Sequence, residues 1–334
     1  MTTKKFLFAL FQWLRTDERI LVSRYNISVK YKPKAFVVSA SDLNPRYVEC
    51  VPIFIETWLL VARSMERIDL EPRIILVGDK LPENLVPYEK YIIILCHANL
   101  IPRPFIAQNI RLLALARFDA DVVMTTDIDM VPMSWEIYER YLLLSYSENR
   151  FLVLRDELQH EYPICYLMSP PKVADLLIGM PTLKLEKGIQ ELWEHFLATG
   201  LMYEGIHGGI GWNFDQKYVY SLVNTQSCEN RAMFFRDSQT GFRRLDRLFA
   251  PSKTFLELFS SRSYTDYHMH LPIRKYHRLI KVILLRLQIS HLKYRLLLIL
   301  SIPLFCTLEF QYIINRINIK VSSSSEVGYS GWNN

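Results

Sequence analysis

The alternation of apolar strands with amphipathic helices, which begins near residue 35, constrains the fold of this chain more than any other feature. The stretch Ala35 to Ser41 predicts a strand, Tyr47 to Met65 carries apolar residues at helical spacing, and Arg73 to Gly78 predicts a second strand. Two strands joined through a helix normally lie parallel in one sheet. The sequence therefore predicts a parallel sheet with helices on its faces.

This pattern continues along most of the chain. Further apolar runs predict strands at Tyr91–Cys96, Val122–Thr126, Phe151–Arg155 and Ile164–Met168. Further stretches predict helices at Phe105–Arg117, Trp135–Leu144, Pro170–Gly179, Glu186–Ala198 and Asn213–Val223. The expected fold class is α/β.

Composition limits the classes of protein that this chain can belong to. Its 334 residues suffice for one large α/β domain with an appendage or for two modest domains, and a hydrophobic content of 50% excludes global disorder. The net charge of +6 is too small to indicate a nucleic-acid partner. The 5 cysteines are isolated and lack zinc-type spacing, which favours a reduced, cytoplasmic compartment.

Two aspartates, Asp127 and Asp129, directly follow the apolar run that begins at Val122. In an extended chain, residues two apart project to the same face, so both carboxylates would point one way while Ile128 points into the protein. Pro132 discourages the strand from continuing, which places the pair at the carboxyl end of the strand, where open α/β sheets bind ligands. The stretch therefore predicts a divalent-cation site.

The spacing of this pair is weak evidence by itself. The chain has 14 aspartates, and random placement gives about 0.6 pairs with this spacing. A second pair, Asp119 and Asp121, in fact lies at the entrance of the same strand, away from the expected ligand edge. Position after the strand is what favours Asp127 and Asp129.

Other candidate residues are expected at the same edge. Ser39, Ala40 and Ser41 end the first strand with small side chains that allow a ligand to approach the backbone. Gln108 and Arg111 lie three apart and share a face of their helix. That face is either a solvated polar surface or, in the sharper interpretation, brings Arg111 to phosphates beside the aspartates.

A glycine-rich stretch, Glu204 to Gln216, precedes the last predicted helix. Clustered glycines usually mark only a turn. This stretch also contains chemistry-bearing side chains and the glycines next to them, as expected of an acceptor-binding loop: His207, Gly208, Gly209, Trp212, Asp215 and Gln216.

The C-terminal part holds two features. His268 and His270 alternate in the sequence DYHMH and either bring an imidazole to the metal or are hydrogen-bonded structural residues. Residues 271–320 alternate basic and apolar residues at helical spacing, which is typical of an interfacial helix at an anionic membrane surface or of core helices with a solvated basic side. Residues 1–33 predict a peripheral helix, and residues 321–334 predict a disordered tail.

Taken in order, the motifs AFVVSAS, DIDM, HGGIGW, NFDQ and DYHMH resemble those of metal-dependent glycosyltransferases of the GT-A fold. The resemblance implies a Rossmann-like catalytic domain over residues 34–270, with a mixed, mainly parallel sheet. WNFDQ is also similar to a segment of glycogenin-like retaining transferases, but Leu271 and Pro272 stand where that group has lysine, proline and tryptophan.

The resemblance also implies roles for particular residues. Asp129 would bind Mn²⁺ or Mg²⁺ directly, Asp127 would hold the ribose or the metal's water shell, and His268 or His270 would complete the site. Nucleotide-sugar contacts are expected from a further set: Ser39, Ala40, Ser41, Gln108, Arg111, Thr126 and Ile128.

The expected activity is hexosyl transfer from a nucleotide sugar, with a UDP-sugar favoured, to a hydroxyl of a glycan, polysaccharide or lipid-linked acceptor. Asp215 would deprotonate the acceptor in an inverting reaction or orient donor and acceptor in a retaining one.

One alternative is a haloacid-dehalogenase-like phosphatase with Asp127 as nucleophile and Asp129 as general acid. Two observations count against the phosphatase: its motif normally lies at the start of the domain, and no acidic pair follows downstream in this sequence. A non-enzymatic membrane-surface protein is the other alternative.

Overall fold

A computed structural model describes residues 31–96, 100–156, 158, 160–179, 184–224, 230–247 and 264–269, together with 273, 280, 281, 283, 284 and 287. Its strands are β1 Lys34–Asp42, β2 Asp69–Val77, β3 Ile92–Leu95, β4 Val122–Thr125, β5 Met130–Pro132, β6 Phe151–Leu154, β7 Leu167–Ser169, β8 Ala232–Phe235, β9 Arg244–Leu245 and β10 Asp266–His268. Its α-helices are α1 Pro45–Val48, α2 Cys50–Ser64, α3 Arg103–Arg117, α4 Glu136–Glu148, α5 Pro171–Ile178, α6 Leu185–Ala198, α7 Phe214–Val223 and α8 Asp237–Thr240.

The main sheet has seven strands in the order β3-β2-β1-β4-β7-β6-β8. Its neighbouring strands are parallel, except that β7 is antiparallel to both β4 and β6. This order confirms the predicted mixed, mainly parallel sheet flanked by helices. Because β1 and β4 are parallel neighbours, their carboxyl ends lie at the same edge of the sheet.

The sheet is buried on both faces. Along β1, Ala35 and Val37 pack into one hydrophobic cluster with α2 and α4, whereas Phe36 and Val38 pack into a second cluster with α3, α5, α6 and α7. Successive side chains of a strand point to opposite faces, so a strand covered on both sides needs apolar residues at every position. This explains why the sequence of β1 is a nearly continuous apolar run.

A second sheet has three short strands in the order β5-β10-β9. β10 is antiparallel to β5, which places His268 opposite Met130, and parallel to β9, which places Asp266 opposite Arg244. Strands of two or three residues carry no periodic signal, and sequence reasoning missed this sheet. It joins the chain after the aspartate pair to the DYHMH segment.

The aspartate pair lies in a turn, so its predicted extended geometry was wrong. β4 ends at Thr125, and the amide of Met130 donates to the carbonyl of Asp127 at 3.2 Å. An extended chain would have put both carboxylates on one face, whereas a turn allows each to have its own partner. Pro132 does not end a continuing strand but lies at the end of β5.

The helices predicted between Tyr47 and Val223 are confirmed, with ends that shift by at most four residues. The predicted helix from Tyr47 to Met65 is divided into α1 and α2, which meet at Glu49. The strand predicted at Ile164–Met168 begins only at Leu167, because Tyr166 has a left-handed backbone with φ 70° that interrupts the extended conformation. A 3₁₀ helix, Glu83–Tyr91, was not predicted.

Most of the predicted terminal segments lie outside the described residues, including residues 1–30 and the tail 321–334. Within 271–320, the described apolar side chains are all buried in the core: Ile273, Ile280, Ile283, Leu284 and Leu287. For these positions the structure agrees with the core-helix interpretation and not with the interfacial one. Within the part of the chain that the structure describes, no helix is both long and apolar enough to cross a membrane.

Phe105 lies at the centre of an aromatic cluster that supports the chain before α7. Its ring is fully buried and its centroid lies 4.8 Å from that of Trp193 and 5.4 Å from that of Tyr203. We expect Phe105→Ala to lower the free energy of unfolding by about 3–5 kcal/mol, because it leaves a cavity in a packed core. Urea denaturation measures this change. Leu176→Ala, at a site that is 62% exposed, should cost less than about 0.5 kcal/mol; equal effects would contradict the described packing.

Candidate active site

An open cleft of about 420 Å³ lies where β1 and β4 end. It is lined by residues that follow these strands, by α3, by the chain leading into α7, and by β9 and β10. Twelve of the residues predicted from sequence line it: Ala40, Ser41, Gln108, Arg111, Asp127, Ile128, Asp129, His207, Trp212, Asp215, Gln216 and His268. The cleft therefore occupies the carboxyl edge of the parallel strands, the usual ligand position in open α/β sheets.

The remaining predicted residues do not line the cleft. Ser39 and Thr126 are fully buried at the strand ends, and neither hydroxyl has a hydrogen-bond partner among the described residues. Gly208 and Gly209 lie in the loop beside the cleft, with a left-handed backbone (φ 78°) at Gly208. His270 lies outside the described residues.

Arg111 connects three parts of the cleft from its position in α3. Its Nη1 donates to the Asp127 carboxylate and, at 3.3 Å, to the carbonyl of Thr126. Its Nη2 donates to Asp215 Oδ2 at 3.4 Å. Arg111 was predicted to reach phosphates, but in this structure its side chain is engaged with the two carboxylates.

The two carboxylates beside Arg111 differ in their protonation. Burial raises the pKa of Asp215 to about 7, although the nearby Arg111 favours the charged form. Burial also disfavours the charged form of Asp127, but the contact with Arg111 outweighs it and holds the pKa of Asp127 below its usual value. Near neutral pH, Asp127 is thus ionised, and Asp215 is able to exchange a proton.

Asp129 faces the other way and contacts His268. Asp129 Oδ2 lies 3.1 Å from His268 Nε2, although the two residues are 139 positions apart. The pairing of β5 with β10 brings them together, and the amide of Met269 donates to the carbonyl of Asp129 at 2.8 Å. The second aspartate of the pair is thereby separated from the Arg111 group.

The same imidazole nitrogen also faces Arg247, whose Nη2 lies 3.0 Å from His268 Nε2. Nε2 thus lies between a carboxylate, which accepts hydrogen bonds, and a guanidinium, which donates them, so one contact needs a protonated Nε2 and the other an unprotonated one. An imidazole nitrogen and a carboxylate oxygen side by side are both possible ligands of a divalent cation.

Among the described residues, no group of three or more His, Cys, Asp and Glu side chains is arranged to hold a metal ion. The structure brings Asp129 and His268 together as a pair and directs Asp127 to Arg111 instead. Within the described part of the chain, Asp129 and His268 are therefore the two candidate metal ligands that lie in contact.

The glycine-rich loop forms one side of the cleft and is tied to α3. Tyr203 donates its hydroxyl to Gln108 Oε1 at 3.0 Å, and the rings of His207 and Trp212 lie 4.9 Å apart. Exposed apolar side chains on the same loop include Met202 and Ile206. The loop thus presents an aromatic pair to the cleft.

Sequence reasoning missed ten of the residues that line the cleft, among them Tyr47, Arg155, Cys165 and Arg244. Arg155 ended a predicted strand, which was the only signal for its position at the ligand edge. Arg244 carries no motif, and its place depends on the short β9 strand. Arg247, next to His268, was missed for the same reason.

No protein-family model and no curated protein matches this chain. Among solved structures, it is similar to the glycosyltransferase GlyE of Streptococcus pneumoniae TIGR4, at 13% identity over 78% of this chain, with a TM-score of 0.42 in the apo form. The alignment spans 63% of the GlyE chain.

Two other solved structures are also similar. They are an active-site mutant of LgtC (11% identity, 73% of this chain, 94% of LgtC, TM-score 0.39) and TarS of S. aureus (11% identity, 87% of this chain, 81% of the TarS chain, TM-score 0.35). At TM-scores below 0.5, these likenesses do not bear on function, and we base our proposal on the cleft alone.

The raised pKa of Asp215 predicts a pH dependence of stability. Because its folded-state pKa lies above its unfolded value of 3.8, Asp215 contributes most to stability when protonated, and this contribution is lost as the pH rises towards about 7. We expect wild type to lose stability relative to Asp215→Asn between pH 4.5 and 7.5, by a few kcal/mol at most, since one pKa unit equals about 1.4 kcal/mol. Unfolding curves of both proteins at each pH measure this; a constant difference would contradict the raised pKa.

Proposed function

We propose that this protein is a glycosyltransferase that moves a sugar from a nucleotide-sugar donor to a hydroxyl acceptor and uses a divalent cation. The observation that carries the proposal is the contact of Asp129 with His268 at the carboxyl edge of a parallel sheet, beside the Arg111 group that holds Asp127 and Asp215. A cation-binding pair next to two differently protonated carboxylates suits transfer from a phosphorylated donor.

The nucleotide would bind on the β1 side of the cleft. Ala40 and Ser41 end β1 there, and Tyr47 of α1 lines the same wall. Small residues at a strand end let a ligand approach the backbone, and Tyr47 offers a ring against a base or ribose. The base and sugar are not distinguished by these contacts; UDP-sugars are our first choice as donors, with a hexose as the transferred sugar.

Asp129 and His268 would hold the cation, Mn²⁺ or Mg²⁺. A carboxylate oxygen and a neutral imidazole nitrogen suit Mn²⁺, and sites of this type commonly take their remaining ligands from substrate phosphates and water. The two ligands in contact therefore fit such an ion. When bound, the cation would neutralise the charge on the departing diphosphate.

Asp215 would act on the acceptor side of the reaction. With a pKa of about 7, it is able to take a proton from an acceptor hydroxyl at neutral pH. Arg111 Nη2 donates to its carboxylate at 3.4 Å and would thereby hold it in a fixed direction relative to a bound sugar. In an inverting reaction Asp215 would serve as the base, and in a retaining reaction it would orient donor and acceptor.

We do not propose the phosphatase alternative, because the Asp127 carboxylate that it requires as a nucleophile is bonded to the buried Arg111. A non-enzymatic membrane-surface role is also not favoured, since the described apolar residues at 280–287 are buried in the core. Binding of other parts of 271–320 to an anionic membrane, and a glycan or lipid-linked acceptor, remain proposals.

The first test is hydrolysis of a panel of UDP- and GDP-sugars with and without Mn²⁺. We expect Mn²⁺-dependent hydrolysis of at least one donor, and a loss of about 100-fold or more in Asp129→Asn, because the carboxylate would hold the cation that neutralises the developing phosphate charge. The matched control is Asp119→Asn, which changes the other aspartate pair at a fully exposed carboxylate. No metal-dependent hydrolysis or binding of any donor would overturn the proposal.

A second test concerns the cation alone. We expect His268→Gln to weaken Mn²⁺ binding by about 10-fold or more, measured by electron paramagnetic resonance with UDP present, because one of the two protein ligands is removed. His195→Gln changes a histidine of α6 that does not line the cleft and should bind Mn²⁺ as wild type does. Unchanged affinity in His268→Gln would exclude His268 as a ligand.

A further inference from the structure

Two arginines that the proposed chemistry does not use line the cleft on the far side of β4. Arg155 directly follows β6, and Arg244 begins β9. In the main sheet, β6 lies on the opposite side of β4 from β1. Arg155 is therefore separated from the proposed nucleotide wall at Ala40, Ser41 and Tyr47. Arg244 lies on the same side as Arg155, because its Nη2 contacts Cys165, which precedes β7 between β4 and β6.

Arg155 is held in place by its backbone and by a carboxylate. Its backbone is left-handed, with φ 76°, and its amide donates to the carbonyl of Phe235 at 2.8 Å. Its Nε and Nη2 donate to Asp237, with the shortest distance 2.8 Å. A non-glycine residue in this conformation is strained, and such residues cluster at ligand sites.

Arg244 is fixed by different contacts. Its Nη2 donates to Cys165 Sγ at 3.3 Å, and its Nε faces Asp266 Oδ1 at 3.5 Å without forming a hydrogen bond. Asp266 is fully buried and accepts a hydrogen bond from Tyr166. The buried carboxylate thus attracts the guanidinium without using its hydrogen-bond donors.

Both guanidinium groups keep unused donors. Nη1 of Arg155 and Nη1 of Arg244 have no hydrogen-bond partner among the described residues, and neither atom belongs to the buried unpartnered set. The side chains are only 18% and 19% exposed. Two largely buried guanidinium groups that line one cleft and keep free N–H donors can bind phosphate or carboxylate groups.

We propose that Arg155 and Arg244 form a subsite for an anionic group, a phosphate or a carboxylate, carried by the acceptor. This deepens the proposed function and depends on it for the identity of the acceptor. The nucleotide and the cation have their residues elsewhere in the cleft, so the remaining substrate is the one that would bring the negative charge. The same chemistry would bind the donor diphosphate, and the experiment separates the two sources.

The probe is inorganic phosphate, titrated by calorimetry into the full chain with and without saturating UDP and Mn²⁺. We expect phosphate to bind in both cases and Arg155→Gln to weaken it at least 10-fold, because a positively charged hydrogen-bond donor is lost. The matched control is Arg73→Gln: Arg73 is also 19% exposed and pairs bidentately with Glu71, but it does not line the cleft.

Arg244 requires a paired variant, because its removal alone would leave Asp266 buried without its cation. The double variant Arg244→Gln with Asp266→Asn removes both charges and should also weaken phosphate binding at least 10-fold. Phosphate binding that is unchanged in Arg155→Gln and in this double variant would overturn the proposal. Loss of phosphate binding when UDP and Mn²⁺ are present would assign the arginines to the diphosphate and would equally overturn it.

A sugar probe tests the assignment to the acceptor. With UDP and Mn²⁺ bound, glucose 6-phosphate should bind at least 10-fold more tightly than glucose in wild type, and this preference should disappear in Arg155→Gln. Equal binding of the two sugars by wild type would contradict the subsite. Failure of UDP to bind in any form contradicts the glycosyltransferase proposal separately, since phosphate binding and its dependence on Arg155 are measured without UDP.

Discussion

The buried guanidinium of Arg111 is the interaction on which the rest of the cleft depends. It joins α3, the turn after β4 and the first turn of α7 through Asp127, the Thr126 carbonyl and Asp215. Removing one partner of such a buried pair typically costs about 3–5 kcal/mol, because a charge is left without compensation. Burial raises the pKa of Asp215, whereas the contact with Arg111 holds that of Asp127 below its usual value, and one fold thereby supplies an anion and a proton acceptor side by side.

The two sheets position different residues of the cleft. The main sheet places the ends of β1 and β4 at one edge, while the small sheet carries the DYHMH segment to that edge and holds His268 against Asp129. Asp266, two residues before His268, faces Arg244 from the same strand. One three-residue strand therefore positions groups on both sides of the aspartate turn.

The sequence predicted those features that leave a long periodic pattern of apolar residues. The parallel sheet followed from long apolar runs such as Ala35 to Ser41, and the edge position of Asp127 and Asp129 followed from the strand before them. The separation of the two carboxylates could not be predicted from the sequence, because it results from a turn in which the amide of Met130 donates to the carbonyl of Asp127. Arg155 and Arg244 were missed because a left-handed residue and a two-residue strand leave no periodic pattern.

The contact between Asp129 and His268 joins residues 139 positions apart, on strands that pair across the small sheet. Such long-range pairing is slow to form, because closing the long loop between the two residues costs conformational entropy. During synthesis the main-sheet strands β1 to β4 leave the ribosome well before residue 268. The residues of the sheet edge are therefore synthesised before the imidazole, and the contact between Asp129 and His268 can form only after residue 268 has been added.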